Sequence, residues 1–114
     1  MKLAKEISLK IFLDDLRPAP EGWTPAYTAS EAIALLADGQ VEAISLDHDL
    51  GEPEAEVGNG YDVAVWLEEK AANGEWALVP EHIVVHSANP VGIGKMKAAI
   101  QSIAGMRGRI DGAC

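Results

Sequence analysis

Residues 41–51 read VEAISLDHDLG and join an apolar segment to a run of ionisable side chains. The segment 41–46 has the length and composition of a short buried strand. It is followed at once by Asp47, His48 and Asp49. The sequence therefore predicts a strand whose carboxyl end carries two carboxylates and an imidazole.

Upstream, residues 7–13 alternate between apolar and other side chains, which predicts a strand that ends at Asp14 and Asp15. The next stretch, LRPAPEGW at residues 16–23, contains two prolines and a glycine and is predicted to be a loop rather than a helix. Residues 23–27 can extend as a short strand, and their proline confines that strand to an edge of the sheet.

Downstream, the unbroken apolar run 83–85 leads into His86. Because such a run suits a strand covered on both faces, residues 82–86 are predicted to form a buried central strand. Its carboxyl end, at His86, should lie beside Asp47. His82 begins the same strand and is therefore placed at the opposite edge of the sheet.

Helices are predicted between the strands. Thr28 and Glu31 have the spacing of a capping box and begin one helix, Asn59 or Gly60 begins another, and a third follows the last strand. Strands that alternate with helices indicate an α/β fold, in which a parallel sheet has helices on both faces. Residues 1–114 are predicted to form a single domain.

The composition restricts the environment and the partners. The chain has 114 residues, 48% of them hydrophobic, and its only cysteine is Cys114. No apolar run approaches the ~20 residues of a membrane span, so a soluble, cytoplasmic protein is expected, with no membrane partner. The net charge of −9 argues against an extended nucleic-acid surface. A small phosphorylated ligand or an RNA terminus is the expected partner.

Ligands of open parallel sheets bind beyond the carboxyl ends of the strands, where these polar segments gather. Four carboxylates are expected to meet there and would repel one another unless some are protonated or a cation neutralises them. Oxygen ligands favour Mg²⁺ or Mn²⁺. The predicted metal ligands are Asp14, Asp15, Asp47 and Asp49.

Other groups at the same edge suggest acid–base and phosphate chemistry. Imidazoles are common acid–base groups in enzymes, and His48 and His86 are predicted to be catalytic together with Asp47. Structural roles compete with these: an Asp at a strand end often forms a turn or a cap, and a His after an apolar strand often belongs to the core. The residues predicted to orient a phosphate are Arg17, which could equally be a surface residue, and Ser87 and Asn89.

Four stretches, FLDDLRP, ISLDHDLG, GYDVAVWL and HSANPVGIGKM, together resemble the cyclic-phosphate processing receiver domain family. The resemblance implies a receiver-like (flavodoxin-like) fold and a role in processing cyclic phosphate ends in connection with RNA repair. By the wider resemblance to receiver domains of response regulators, Asp14 and Asp15 correspond to the pair that holds Mg²⁺, and Asp47 to the phosphoacceptor. Ser87 corresponds to the hydroxyl residue that contacts the phosphoryl group.

The sequence also departs from the receiver pattern. The first helix is reduced or absent, a fifth strand is uncertain, and no lysine stands where that strand should end. Signalling by phosphorylation, with Asp47 as the phosphorylated residue, is therefore the third hypothesis.

The leading hypothesis is a metal-dependent phosphoesterase that hydrolyses a cyclic phosphate or a related phosphodiester, with RNA ends among the candidate substrates. Direct attack by Asp47 and attack by an activated water both stay open. The alternative is a non-enzymatic, degenerate receiver that binds a metal or a nucleotide and signals by contact.

Overall fold

The predicted strand segments form one sheet. The computed structural model describes residues 8–111, and its strands are β1 (Leu9–Leu13), β2 (Thr24–Ala26), β3 (Val41–Leu46) and β4 (His82–Val85). Neighbouring strands are all parallel, and their order is β2-β1-β3-β4. The proline-containing segment forms the edge strand β2, as its sequence predicted.

Helices follow three of the strands. They are α1 (Ala29–Ala37), α2 (Glu54–Val57), α3 (Gly60–Ala72) and α4 (Pro90–Asp111), with a 3₁₀-helix at Trp76–Leu78. Thr28 caps α1 by accepting from the amide of Glu31 at 3.1 Å, whereas the Glu31 carboxylate accepts from Tyr27 instead of Thr28. Asn59 and Asp62 form a complete capping box for α3. The loop between β1 and β2 contains no helix, as predicted.

One face of the sheet forms the hydrophobic core. Ile11, Leu13, Ile44 and Leu46 are fully buried and pack in a single cluster with apolar residues of α1, α3 and α4. Helix α3 packs against both α1 and α4. The three longer helices of the described chain therefore cover the same face.

The opposite face corrects the prediction of helices on both faces. It carries Lys10, Phe12, Ser45 and Val84, which alternate with the core residues, and no described helix covers it. Right-handed crossovers explain this: the connections from β2 to β3 and from β3 to β4 run in the same direction across the sheet and place their helices on one face. The connection from β1 to β2 runs the other way, but it is a loop.

Strand β4 corrects a second prediction. Among the described residues β4 is an edge strand rather than a central one, and Val84 is 51% exposed on the open face. An apolar run does not reveal whether a neighbouring strand follows it, and residues 86–111 instead form a loop and α4 without a fifth strand. None of the described helices is long and apolar enough to cross a membrane.

Candidate functional site

The carboxyl ends of the strands bring three polar side chains together. Hydrogen bonds continue one residue beyond the sheet: the amide of Asp47 donates to the carbonyl of Leu13 at 3.1 Å, and the amide of His86 donates to the carbonyl of Leu46 at 2.9 Å. Asp14, Asp47 and His86 therefore lie side by side, and the prediction that His86 lies beside Asp47 is confirmed.

Asp14, Asp47 and His86 form the inner cluster. One ligand atom from each lies within 4.8 Å of the other two. Asp14 is 1% exposed and Asp47 is 8% exposed, so both carboxylates are almost entirely removed from water. Two carboxylates and an imidazole at this spacing are a donor set suited to a divalent metal ion.

The Asp14 carboxylate is held as an anion. Burial by itself would raise its pKa, but hydrogen bonds from the amides of Arg17 and Leu16, with the Arg17 guanidinium and His86, lower the pKa below its ordinary value. Oδ1 accepts from both amides at 2.8 and 2.9 Å, and Oδ2 accepts from Arg17 Nη1 at 2.8 Å. The loop after β1 is therefore folded around this carboxylate.

The Asp47 carboxylate has the opposite tendency. Burial and the negative charge of Asp14 raise the pKa of Asp47, although the Ser87 hydroxyl, His86 and Arg17 oppose the rise. Helix α3 begins close behind this residue, and a Cβ atom on Gly60 would overlap the Asp47 carbonyl oxygen. Only glycine permits that approach.

The His86 ring is fixed by residues of the open face. Its Nδ1 lies 2.6 Å from the Ser45 hydroxyl, its Nε2 lies 3.1 Å from Asp14 Oδ2, and the Phe12 ring stacks on it at 4.2 Å between centroids. Sequence reasoning did not include Ser45 or Phe12 among the site residues. Two features of the sequence could have indicated them: Ser45 is a hydroxyl residue inside the apolar run 41–46, and Phe12 is an aromatic residue at the polar positions of β1.

Arg17 lies over the inner cluster. Its Nη1 is 2.8 Å from Asp14 Oδ2 and 3.6 Å from Asp47 Oδ2, and about half of the side chain is exposed. The guanidinium is therefore a positive charge that both carboxylates share and that can still reach solvent.

The loop clasp is a second polar group, formed by His48, Asp49 and Asn89. Asp49 Oδ1 lies 2.9 Å from His48 Nδ1, and the Asn89 amide nitrogen donates to both Asp49 oxygens at 3.3 Å. The hydrogen bond with His48 lowers the pKa of Asp49, although burial opposes this shift. The His48 ring packs on Gly92 of α4, where a Cβ atom would overlap it. The clasp therefore joins the loop after β3 to α4.

The remaining predicted residues have local partners. Ser87 Oγ accepts from the amide of Asn89 at 3.1 Å, and Asn89 Oδ1 accepts from the amide of Gly92 at 3.0 Å, as in a helix cap. Asp15 points toward the loop at Gly51, where a Cβ atom would lie 3.1 Å from its carboxylate. Asp15 and Asp49 thus lie outside the inner cluster.

A cavity of about 240 Å³ opens beside the inner cluster. Leu16 contributes an exposed apolar wall, and the Arg17 side chain contributes a positive one. The cavity has room for a small phosphorylated group in contact with both carboxylates. Its lining residues are Asp14, Leu16, Arg17, Asp47, Asp49 and Ala88.

A parallel sheet with helices and acidic residues at the carboxyl ends of adjacent strands defines a receiver-like α/β domain. The sequence model of the cyclic-phosphate processing receiver domain matches residues 9–102. The chain belongs to this family, and the resemblance seen in the sequence is confirmed. No curated protein and no solved structure matches the chain significantly.

Proposed function

We propose that this domain hydrolyses a cyclic phosphate or a related phosphodiester with the help of a divalent cation. The observation that carries the proposal is the inner cluster, whose ligand atoms converge beside a cavity that Arg17 also lines. The family is named for cyclic-phosphate processing, which supports this class of substrate.

The inner cluster fits a divalent cation such as Mg²⁺ or Mn²⁺. Asp14 and Asp47 would hold it, because both carboxylates are buried and converge within reach of one position. His86 lies within reach of the same position. When bound, such a cation offsets charge on phosphoryl oxygens and acidifies water.

The protein's own side chains supply orientation and proton transfer. Arg17 contacts the carboxylates through a single nitrogen, so the rest of its planar fork can bind phosphate oxygens. The Asp47 carboxylate lines the cavity, where it can exchange a proton with water or with a bound phosphate group. Because His48 is engaged in the loop clasp, we assign proton exchange to Asp47 rather than to His48.

The proposed partner is a small phosphorylated ligand or the terminus of an RNA chain. The cavity has space for one phosphorylated group. The net charge of −9 favours recognition of one terminal phosphate over a long phosphate backbone. A cytoplasmic location stays a prediction from the sequence.

Incubation with 2′,3′-cyclic nucleotides and Mg²⁺ or Mn²⁺ tests the proposal, with separation of the nucleoside monophosphate product by chromatography. Asp47→Asn should reduce turnover by at least the ~10²-fold of a lost acid–base group. Asp38→Asn is the matched control, because Asp38 is an exposed aspartate just before β3, at the opposite edge of the sheet. It should leave turnover unchanged.

Saturable nucleotide binding without turnover would contradict hydrolysis and support the binding-module alternative. That alternative has one structural observation in its favour: the positive charge of Arg17 offsets part of the negative charge of the two carboxylates, so they can converge without a bound cation. Turnover that is equal in Asp47→Asn and the unmodified protein would place the reaction elsewhere.

A further inference from the structure

The His86 ring has contacts at both nitrogens and on one face. Ser45 contacts Nδ1, Asp14 contacts Nε2, and the Phe12 ring is within 8° of parallel to the imidazole. Ser45 is buried and lies between Phe12 and Val84 in the strand register. The rotation of the imidazole is therefore fixed, with Nε2 directed into the inner cluster.

A hydroxyl is well suited to the position next to Nδ1. It can donate to Nδ1 when Nε2 carries the ring proton and donates to Asp14. It can also accept from Nδ1–H when Nε2 has a free lone pair. Ser45 thus supports the tautomer needed for hydrogen bonding and the tautomer needed for metal binding without a change in ring position.

We propose that Ser45 positions His86 Nε2 as a metal ligand beside Asp14 and Asp47, so that the inner cluster selects a transition metal such as Mn²⁺ over Mg²⁺. The inference rests on the metal site of the proposed function and adds its ligand set and selectivity. Ser45 is a positioning residue, since it acts through His86.

Distance and ligand chemistry both support a ligand role for Nε2. Two ligands ~2.1 Å from one ion and at right angles to each other are roughly 3 Å apart. The distance from Asp14 Oδ2 to His86 Nε2 is 3.1 Å. Mg²⁺ strongly prefers oxygen ligands and retains water, whereas Co²⁺ and Zn²⁺ bind imidazole readily and Mn²⁺ accepts one imidazole beside carboxylates. A metal-binding histidine also needs a hydrogen-bond partner at its other nitrogen, and Ser45 supplies one.

Calorimetric titration of the full chain with MnCl₂ and with MgCl₂ tests the inference. The unmodified protein should bind Mn²⁺ at least ~10-fold more tightly than Mg²⁺. Ser45→Ala should weaken Mn²⁺ binding by roughly 10–100-fold, as expected for a lost outer-shell partner, and Mg²⁺ binding by less than about 3-fold. His86→Ala should remove the preference, and Ser45→Thr, which keeps the hydroxyl, should retain it. The visible absorption spectrum of bound Co²⁺ should change in His86→Ala.

Equal affinities for Mn²⁺ and Mg²⁺, or a ratio that Ser45→Ala does not change, would overturn the inference and leave the proposed hydrolysis intact. Retained Mg²⁺ binding shows that Ser45→Ala still folds. Selective Mn²⁺ binding in a protein that does not turn over cyclic nucleotides would support the inference and contradict the proposed function. Absence of binding for both metals would overturn both the inference and the proposed metal-dependent hydrolysis.

Discussion

The inner cluster and the loop clasp are made from neighbouring positions of the same segments, yet their chemistry differs. The inner cluster is buried, and its groups converge on one position. In the loop clasp the Asp49 side chain is 67% exposed, and its carboxylate is hydrogen-bonded to His48 and Asn89. A buried convergent group suits ligand binding, whereas a solvated, internally paired group suits the joining of a loop to a helix.

The difference begins at the end of β3. Asp47 still pairs with β1 through its amide, so its side chain is held at the edge of the sheet. His48 follows after the sheet has ended and turns onto Gly92 of α4. Adjacent residues of similar chemistry therefore acquire different roles, because only the first is fixed by the sheet.

Metal affinity should give the largest contrast between an inner-cluster residue and its neighbour. Asp14→Asn should lower Mn²⁺ affinity by more than the ~10–100-fold of a lost outer-shell partner, because a direct ligand is removed. Asp15→Asn, one residue away, should change it by less than about 3-fold, because Asp15 points toward Gly51. Calorimetry measures both. Equal losses would show that the sequence-based metal set, with both aspartates, is the better one.

Turnover should separate the histidines of the two groups. His86→Ala should cost the proposed reaction about 10²-fold or more, because it removes a group of the inner cluster that would hold the metal. His48→Ala should cost much less, contrary to the equal roles predicted from sequence, because His48 contacts Asp49 and Gly92 rather than the cavity. Product chromatography measures the rates, and His82→Ala at the start of β4 is the control. Thermal melts of each variant separate catalytic loss from unfolding, and equal losses for His82 and His86 would contradict the assignment.

Stability should report the contact that holds the loop clasp to α4. Gly92→Ala should destabilise the fold by about 1–3 kcal/mol, because the added methyl group overlaps the His48 ring. In a His48→Gly background the same change should cost much less, because that background removes both the ring and the Cβ atom that the added methyl group would overlap. Urea denaturation of the four proteins gives the coupling energy. An additive cycle would mean that His48 does not pack there.

The inner cluster was accessible to sequence reasoning for a definite reason. Parallel strands end at one edge of a sheet, so the order of polar residues after each strand predicted that Asp14, Asp47 and His86 would meet. The contribution of Ser45 was not accessible, because it depends on the register between β3 and β4 and on the rotation of one ring.

The loop clasp and the open face were harder to predict. The direction of His48 depends on where the sheet ends, which the pattern of Asp47, His48 and Asp49 does not reveal. The uncovered face depends on a missing helix between β1 and β2. The sequence showed that loop, but its consequence for the sheet face follows only from the strand order.

The smallest contrast should be in melting temperature, between variants of Asp47 and Asp49, which are two residues apart. In metal-free buffer the two substitutions should shift the melting temperature in opposite directions. The pKa of Asp47 is raised above 3.8 by burial and by Asp14, so its charge opposes folding above that raised pKa. Asp47→Asn should therefore raise the melting temperature at pH 7 by a few degrees. The gain should shrink as the pH falls through the raised pKa, where Asp47 takes up a proton in the folded state.

The pKa of Asp49 is lowered below 3.8 by its hydrogen bond with His48, so its charge stabilises the fold at neutral pH. Asp49→Asn should lower the melting temperature only slightly, because an exposed, screened pair contributes no more than roughly 0–1 kcal/mol to the free energy of unfolding. This loss should shrink only below pH 3.8, as the pH falls toward the lowered pKa of the folded state. Thermal melts from pH 3 to pH 7 with a chelator present compare the two variants. If both shift the melting temperature in the same direction at pH 7, then the two carboxylates do not differ in electrostatic environment, and the distinction between the inner cluster and the loop clasp fails at its closest pair of residues.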